Sequence, residues 1–211
     1  KDQSYVLYTL GRLELSRTLF PVGELPKAEI RRLAREWGLP NAEKPDSADI
    51  CFIPSGDYRA FVRERVPAMA GTIVDGSGEK IGEHEGIANY TIGQRRGLPS
   101  RGGGEPLFVL DLDAETNTVI AGENAELMAG GLIAEDLSFV GDEPPGGEFR
   151  ADVRIRYRSE PVPATVRVEG GRAEVLFERP QRAVTPGQAA VFYEGERVIG
   201  GGTIESRLAN S

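Results

Sequence analysis

The sequence predicts an α+β fold, a small helical unit followed by an all-β barrel, and three observations carry that prediction. Apolar residues recur at helical spacing before Pro67 and alternate in short runs after it. The 27 glycines and 14 prolines among 211 residues point to many turns and hence many short strands. No helical pattern separates the later runs, and several such strands lose their exposed edges by closing into a barrel.

The chain opens at Lys1, and Lys1-Asp2-Gln3-Ser4 runs straight into an apolar segment. Residues 1–19 therefore read as the end of a truncated N-terminal domain or a linker helix, with apolar positions from Tyr5 to Leu15 dense enough for a helix. Residues 20–70 read as a helical domain. In it, Pro26 to Trp37 places Ile30, Leu33, Ala34 and Trp37 on one helical face, with Pro26 and Gly38 as start and stop. A third helix, Tyr58 to Arg65, has Ser55 or Asp57 available as N-cap.

Residues 71–211 read as the barrel. Leu107–Leu112 and Thr118–Ala121 flank a polar turn, Ala164–Val168 and Ala173–Phe177 flank Gly170-Gly171, and Ala189–Tyr193 and Arg197–Ile204 flank Gly195. Each pair reads as a hairpin. No internal repeat or low-complexity segment occurs, unless Gly102-Gly103-Gly104 and Gly200-Gly201-Gly202 are counted as flexible points.

Composition excludes several classes. Charged residues at 27% and hydrophobic ones at 39% are ordinary globular usage. No run approaches the roughly 18 apolar residues of a membrane helix, and no charged-then-apolar leader opens the chain, so the reading is a cytoplasmic protein without a membrane partner. Cys51 is the single cysteine, which excludes an internal disulfide framework. His84 is the single histidine, which excludes a multi-histidine metal site; alone in Gly82-Glu83-His84-Glu85-Gly86 it reads as a turn or packing residue rather than a base. No serine lies in a nucleophile elbow and no Walker-type glycine loop occurs, so this stretch predicts no bound nucleotide or metal of its own.

A net charge of -8 argues against non-specific nucleic-acid binding, since phosphate neutralisation needs Lys and Arg. Yet arginine is concentrated at Arg150, Arg154, Arg156 and Arg158, and again at Arg95, Arg96 and Arg101. In Arg154-Ile155-Arg156-Tyr157-Arg158, strand alternation puts the three arginines on one face, a costly arrangement without an anionic partner. A charged edge strand that blocks aggregation is the competing reading. Asn89 to Leu98 combines an aromatic, an amide and two arginines between glycines, which suits phosphate contact and equally suits a solvated hairpin. Cys51 lies between Pro45 and Pro54, in a loop of the kind that carries reactive side chains. Flanked by Ile50 and Phe52, it also reads as a small buried hydrophobe. Asp46, Asp49 and Asp57 disfavour a thiolate there, so its stabilisation would fall to Lys44, Arg59, a helix N-terminus or a partner domain.

Four separated blocks together resemble the tRNA-specific 2-thiouridylases across essentially the whole chain. They are Lys1-Asp2-Gln3-Ser4-Tyr5, the loop Lys44-Pro45-Asp46-Ser47 with Asp49-Ile50-Cys51-Phe52-Ile53, the run from His84 through Tyr90-Thr91-Ile92-Gly93-Gln94-Arg95-Arg96-Gly97-Leu98, and Thr185-Pro186-Gly187-Gln188 with Ala190-Val191-Phe192-Tyr193. The resemblance implies a central helical domain followed by a barrel like that of translation-factor second domains. It implies an enzyme that replaces the 2-oxygen of a tRNA wobble uridine with sulfur, using ATP and Mg²⁺ in an N-terminal pyrophosphatase-type domain that this stretch lacks. It implies Cys51 as the persulfide carrier, loaded by a cysteine desulfurase or sulfur-relay protein and paired in that chemistry with a second cysteine of the lacking domain. It implies tRNA contacts at Lys1, Asp2, Gln3, Arg156, Tyr157 and Gln188. Ala48 stands where the family usually has glutamine. Without the ATP-binding domain, the stretch alone is expected to be inactive in thiolation. The alternative is a non-catalytic RNA-binding or adaptor barrel in which Cys51 merely packs.

Overall fold

A computed structural model of the chain describes residues 2–45, 58–65, 69–100 and 105–210. Packing divides the chain into a unit of Leu15–Pro67 and a unit of Lys1–Glu14 with Ala68–Ser211.

The smaller unit holds helices α2 (Lys27–Glu36) and α3 (Tyr58–Arg63), and α1 (Arg12–Arg17) enters it. In α2, Arg32 pairs with Glu29 and Glu36, at i−3 and i+4 on the solvent face. The helix ends at Gly38, whose φ of +64° lets the chain turn away without a Cβ clash. Ile30, Leu33 and Ala34 are half-buried as the spacing predicts, but Trp37 is 70% exposed. Trp37 is the C-cap residue, past the last helical position, so its side chain leaves the apolar stripe.

The helix expected over Tyr5 to Leu15 is broken into a 3-10 turn, Ser4–Leu7, and α1. Tyr5 is buried in a cluster with Val191 and Tyr193, and this tertiary contact overrides the local periodicity.

The larger unit contains two β structures where the spacing suggested one. Strands β1 (Gly71–Val74), β2 (Lys80–His84), β3 (Phe108–Asp113) and β4 (Thr118–Gly122) form a four-stranded sheet in the order β2-β1-β4-β3, with β1 and β4 parallel. Ile73, Leu107, Val109, Val119 and Ala121 make its core. His84 is buried there: Nδ1 accepts the Gly86 N–H at 3.1 Å, and Nε2 lies 3.1 Å from the Asn117 carbonyl. Both ring nitrogens are thereby satisfied by backbone, as a packing histidine requires. A Cβ on Gly71 would fall 2.2 Å from the Asn117 carbonyl oxygen, so this close approach admits only glycine.

Strands β5 (Met128–Phe139), β6 (Glu148–Arg154), β7 (Val162–Glu169), β8 (Arg172–Arg182), β9 (Ala189–Glu194) and β10 (Arg197–Leu208) close into a barrel in the order β10-β5-β8-β7-β6-β9. The three hairpins read from the sequence are β3/β4, β7/β8 and β9/β10. A six-stranded barrel has a narrow interior, and small residues such as Ala134, Ala164, Ala173 and Ala190 fill most of it. Larger side chains fill the rest, among them Leu132, Ile155, Ile204 and the rings of Phe139, Phe149 and Phe192, whose centroids lie 6.2 to 6.4 Å apart. Gly200-Gly201-Gly202 is not a flexible point: it lies inside β10, paired to β5 and β9. A Cβ on any of the three would come within 2.3 to 2.6 Å of a neighbouring strand's carbonyl oxygen, so close strand packing, not mobility, requires glycine. Leu110, Leu127 and Ala183, with Ile92 and Phe108 against them, join sheet and barrel through a common apolar seam.

Candidate nucleic-acid interface

Strand β9 carries alternating faces. Phe192 points into the barrel core, whereas Val191 and Tyr193 face outward and meet the chain's opening segment. The Tyr5 hydroxyl donates to the Ala189 carbonyl at 2.8 Å, and the Ser4 and Tyr193 hydroxyls lie 3.2 Å apart. Burial, with smaller repulsion from the Tyr8 and Tyr193 phenols, raises the Tyr5 phenol from 10.0 to about 12. A group whose folded value is raised contributes stability that is complete below the unfolded value and lost as pH climbs through the folded one. Docking of residues 2–8 therefore holds at pH 10 and fails toward pH 12. In a phenolate absorbance titration, Tyr5→Phe removes the last-ionising phenol. Complete ionisation of every phenol of the unsubstituted chain near its ordinary value would refute this.

The docked segment places Asp2 and Gln3 beside the end of β6. Asp2 accepts the Ser4 N–H at 2.8 Å and the Arg154 guanidinium at 3.0 Å. The Ser4 hydrogen bonds, with a smaller contribution from Arg154, hold the Asp2 carboxyl below its ordinary 3.8. Arg154 lies 5.0 Å from the Tyr193 ring centroid, and its Nε is buried without a partner. Gln3 is exposed.

After Arg154 the strand ends, so the single arginine face expected from alternation does not form. Each arginine finds its own environment instead. Arg154 meets Asp2, Arg158 is exposed, and Arg156 turns back to donate to the Ala183 carbonyl at 2.8 Å and the Thr185 hydroxyl at 3.4 Å. The Arg156 carbonyl accepts from the Ser159 amide and hydroxyl, closing a tight turn that presents Tyr157. Tyr157 packs edge-on against Tyr5, centroids 6.2 Å apart.

Ala183 holds a left-handed φ of 53°, unusual for a residue with a Cβ, and is buried in the seam between sheet and barrel. That backbone leads into Thr185-Pro186-Gly187-Gln188. The Gln188 N–H donates to Thr185 at 3.3 Å, Pro186 sits at the second position, and Gly187 takes φ +80° at the third. This is the pattern of a type II turn, whose third position favours glycine. The Gln188 carbonyl accepts from Ile204 at 2.7 Å, which ties the turn to β10 and leaves the Gln188 side chain exposed.

Asp2, Gln3, Arg156, Tyr157 and Gln188 thus lie in one neighbourhood linked through Tyr5, Ala189 and Thr185. Lys1 and Cys51 lie outside the described residues. Sequence reading missed Arg154 as the partner of Asp2, and Tyr5 and Tyr193 as the platform beneath them. Alternation around Phe192 would have turned Tyr193 outward, but nothing local shows what lands on it. The neighbourhood offers a guanidinium, a phenol and two amides, groups suited to gripping phosphate, stacking on a base and reading base edges. Among the described residues no cluster of three or more His, Cys, Asp or Glu could hold a metal ion. No helix among them is long and apolar enough to cross a membrane.

Comparison with known proteins covers nearly every position. Residues 1–55 match the tRNA methyl transferase HUP domain, residues 59–123 the tRNA methyl transferase PRC-barrel domain, and residues 129–204 the aminomethyltransferase beta-barrel domain. The tRNA-specific 2-thiouridylase MnmA of Carboxydothermus hydrogenoformans is 47% identical over 99% of this chain and 58% of its own length. That of Chloroflexus aurantiacus is 49% identical over 97% of this chain and 57% of its own, and that of Escherichia coli 46% over 99% and 59%. The chain therefore spans somewhat over half the length of these relatives. With four sequence blocks and near-complete coverage in agreement, the chain belongs to the tRNA-specific 2-thiouridylase family.

Proposed function

We propose that this chain is the tRNA-gripping and sulfur-bearing portion of an enzyme that transfers persulfide sulfur to C2 of a tRNA wobble uridine. The observation that supports the gripping role is the convergence of Asp2, Gln3, Arg156, Tyr157 and Gln188, far apart in sequence, on one neighbourhood in which Asp2, Gln3 and Gln188 are exposed and Arg156 and Tyr157 half-buried. Cys51 carries the incoming sulfur, delivered by a cysteine desulfurase or a relay protein. ATP with Mg²⁺ activates the uridine oxygen as a leaving group elsewhere in the longer protein, so this chain by itself does not thiolate tRNA. The enzyme acts in the cytoplasm.

Tyr157→Ala tests the gripping role. Base stacking on an aromatic is worth about 1–3 kcal/mol, so tRNA affinity of the chain falls roughly tenfold or more while the thermal midpoint moves little. Unchanged affinity in Tyr157→Ala and in Gln188→Ala would remove the neighbourhood from RNA recognition. ATP-dependent thiolation by the chain alone would overturn the assignment of activation to the longer protein.

A further inference from the structure

The loop from Asn89 to Leu98 is built more firmly than a solvated hairpin needs. Tyr90 and Leu98 pack on the core of the four-stranded sheet, and Ile92 packs into the seam. The Gly93 N–H donates to Val109 at 2.8 Å, and Val109 returns a hydrogen bond to Gln94 at 2.9 Å. Gln94 spends its side-chain amide on the loop's own carbonyls, Arg96 at 2.7 Å and Asn89 at 3.3 Å, while the Tyr90 hydroxyl donates to Gly97 at 2.9 Å. Gly93 and Gly97 take φ of +85° and +84°, making the sharp corners on either side of the arginine pair.

What this framework presents is positive charge. Arg95 and Arg96 are exposed and, among the described residues, form no ion pair. Glu105 shares an open cleft of about 210 Å³ with Arg95 but does not pair with it. Arg182 reaches the same loop from β8. Its guanidinium meets only uncharged groups: the Asn124 side chain at 2.9 Å, the Gly93 carbonyl at 3.4 Å and the Phe108 ring at 5.1 Å. Several exposed arginines elsewhere on this acidic chain, among them Arg32, Arg150, Arg167, Arg172 and Arg197, have a carboxylate partner, whereas Arg158, Arg179 and Arg207 stand singly without one among the described residues. Three uncompensated guanidiniums around one rigid loop repel one another unless an anion joins them.

We propose that Arg95, Arg96 and Arg182 form a second tRNA contact, a platform for the sugar–phosphate backbone made of other residues than the Asp2, Arg156 and Gln188 neighbourhood, which it meets at Ala183. This rests on the tRNA-binding reading above. The loop reads charge rather than sequence. The Tyr90 ring is packed inward and the Gln94 amide is consumed internally, which leaves the two guanidiniums as the main groups the loop turns outward. The preorganised backbone means little loop entropy is lost on binding.

Salt-dependent tRNA titrations of the whole chain test it. For Arg95→Gln/Arg96→Gln, the slope of log affinity against log salt drops by about 1 to 2, and affinity falls about tenfold at moderate salt. The loss is the same for a tRNA and an unrelated duplex RNA, and the thermal midpoint stays at that of the unsubstituted chain. Arg95→Lys/Arg96→Lys keeps the slope, because phosphate neutralisation needs the charge and not the guanidinium. Arg197→Gln, in the β9/β10 hairpin and already paired with Glu194, serves as the control with an unaltered slope. An unaltered slope in Arg95→Gln/Arg96→Gln overturns the platform while leaving the Tyr157 neighbourhood standing. Failure of the unsubstituted chain to bind tRNA at all overturns the underlying reading instead.

Discussion

A chain carrying Cys51→Ser acquires no labile sulfur when incubated with a cysteine desulfurase and free cysteine, whereas the unsubstituted chain gains the mass of one sulfur atom. In the step, the Cys51 thiolate attacks the outer sulfur of the donor's persulfide, the donor S–S bond breaks, and the donor thiolate leaves. Cys51 is the only thiol in the chain, so intact-mass spectrometry assigns the added sulfur without ambiguity. Serine cannot form the persulfide, and thiolation by the longer protein carrying the substitution falls on the order of a thousandfold or more, the usual scale for loss of a nucleophile. Asp46, Asp49 and Asp57 nearby in sequence disfavour a thiolate, so the expected result is faster loading in the longer protein if its further domain supplies a compensating positive group. Sulfur retained in Cys51→Ser, or no sulfur on Cys51 even in the longer protein, would sink the carrier role and favour a non-catalytic RNA-binding module.

Phe192→Ala destabilises the barrel by about 3–5 kcal/mol, a large part of the 5–15 kcal/mol typical of a whole domain. Phe192 is fully buried and is the ring that both Phe139 and Phe149 touch. The other interior residues around it are mostly alanines and valines, which are too short to collapse into the space. The cost therefore combines lost transfer free energy with an unfilled cavity. Denaturant unfolding followed by tyrosine and far-ultraviolet signals measures it, and Phe192→Leu, which keeps most of the volume, loses clearly less. A shift below about 1 kcal/mol in Phe192→Ala would mean that the barrel repacks, against the close-packed interior described above.

The division into helices and strands was readable because local chemistry carries it. Pro26 and Gly38 bracket α2, Gly170-Gly171 and Gly195 mark hairpins that exist, and Thr185-Pro186-Gly187-Gln188 encodes its own turn. The errors share one cause. Tyr5 to Leu15 has helical periodicity, yet docking of Tyr5 on β9 breaks it. Gly200-Gly201-Gly202 looks pliable, but strands on both sides press too close for any Cβ. Arg154 and Arg156 alternate in sequence, but the strand stops between them and each is claimed by a residue far along the chain, Asp2 in one case and Ala183 in the other.

By itself, then, the sequence determined the helix-then-strand division, three of the hairpin pairings, the single thiol and the motif blocks that identify the family, since all of these rest on neighbouring residues and their periodicity. Only the tertiary structure decided that the β region holds a four-stranded sheet as well as a closed barrel. It alone decided that Asp2 and Gln3 share a neighbourhood with Tyr157 and Gln188, and which arginines stay uncompensated. Those outcomes depend on contacts between residues from a few tens to more than a hundred and fifty positions apart, and sequence spacing carries no record of such pairings.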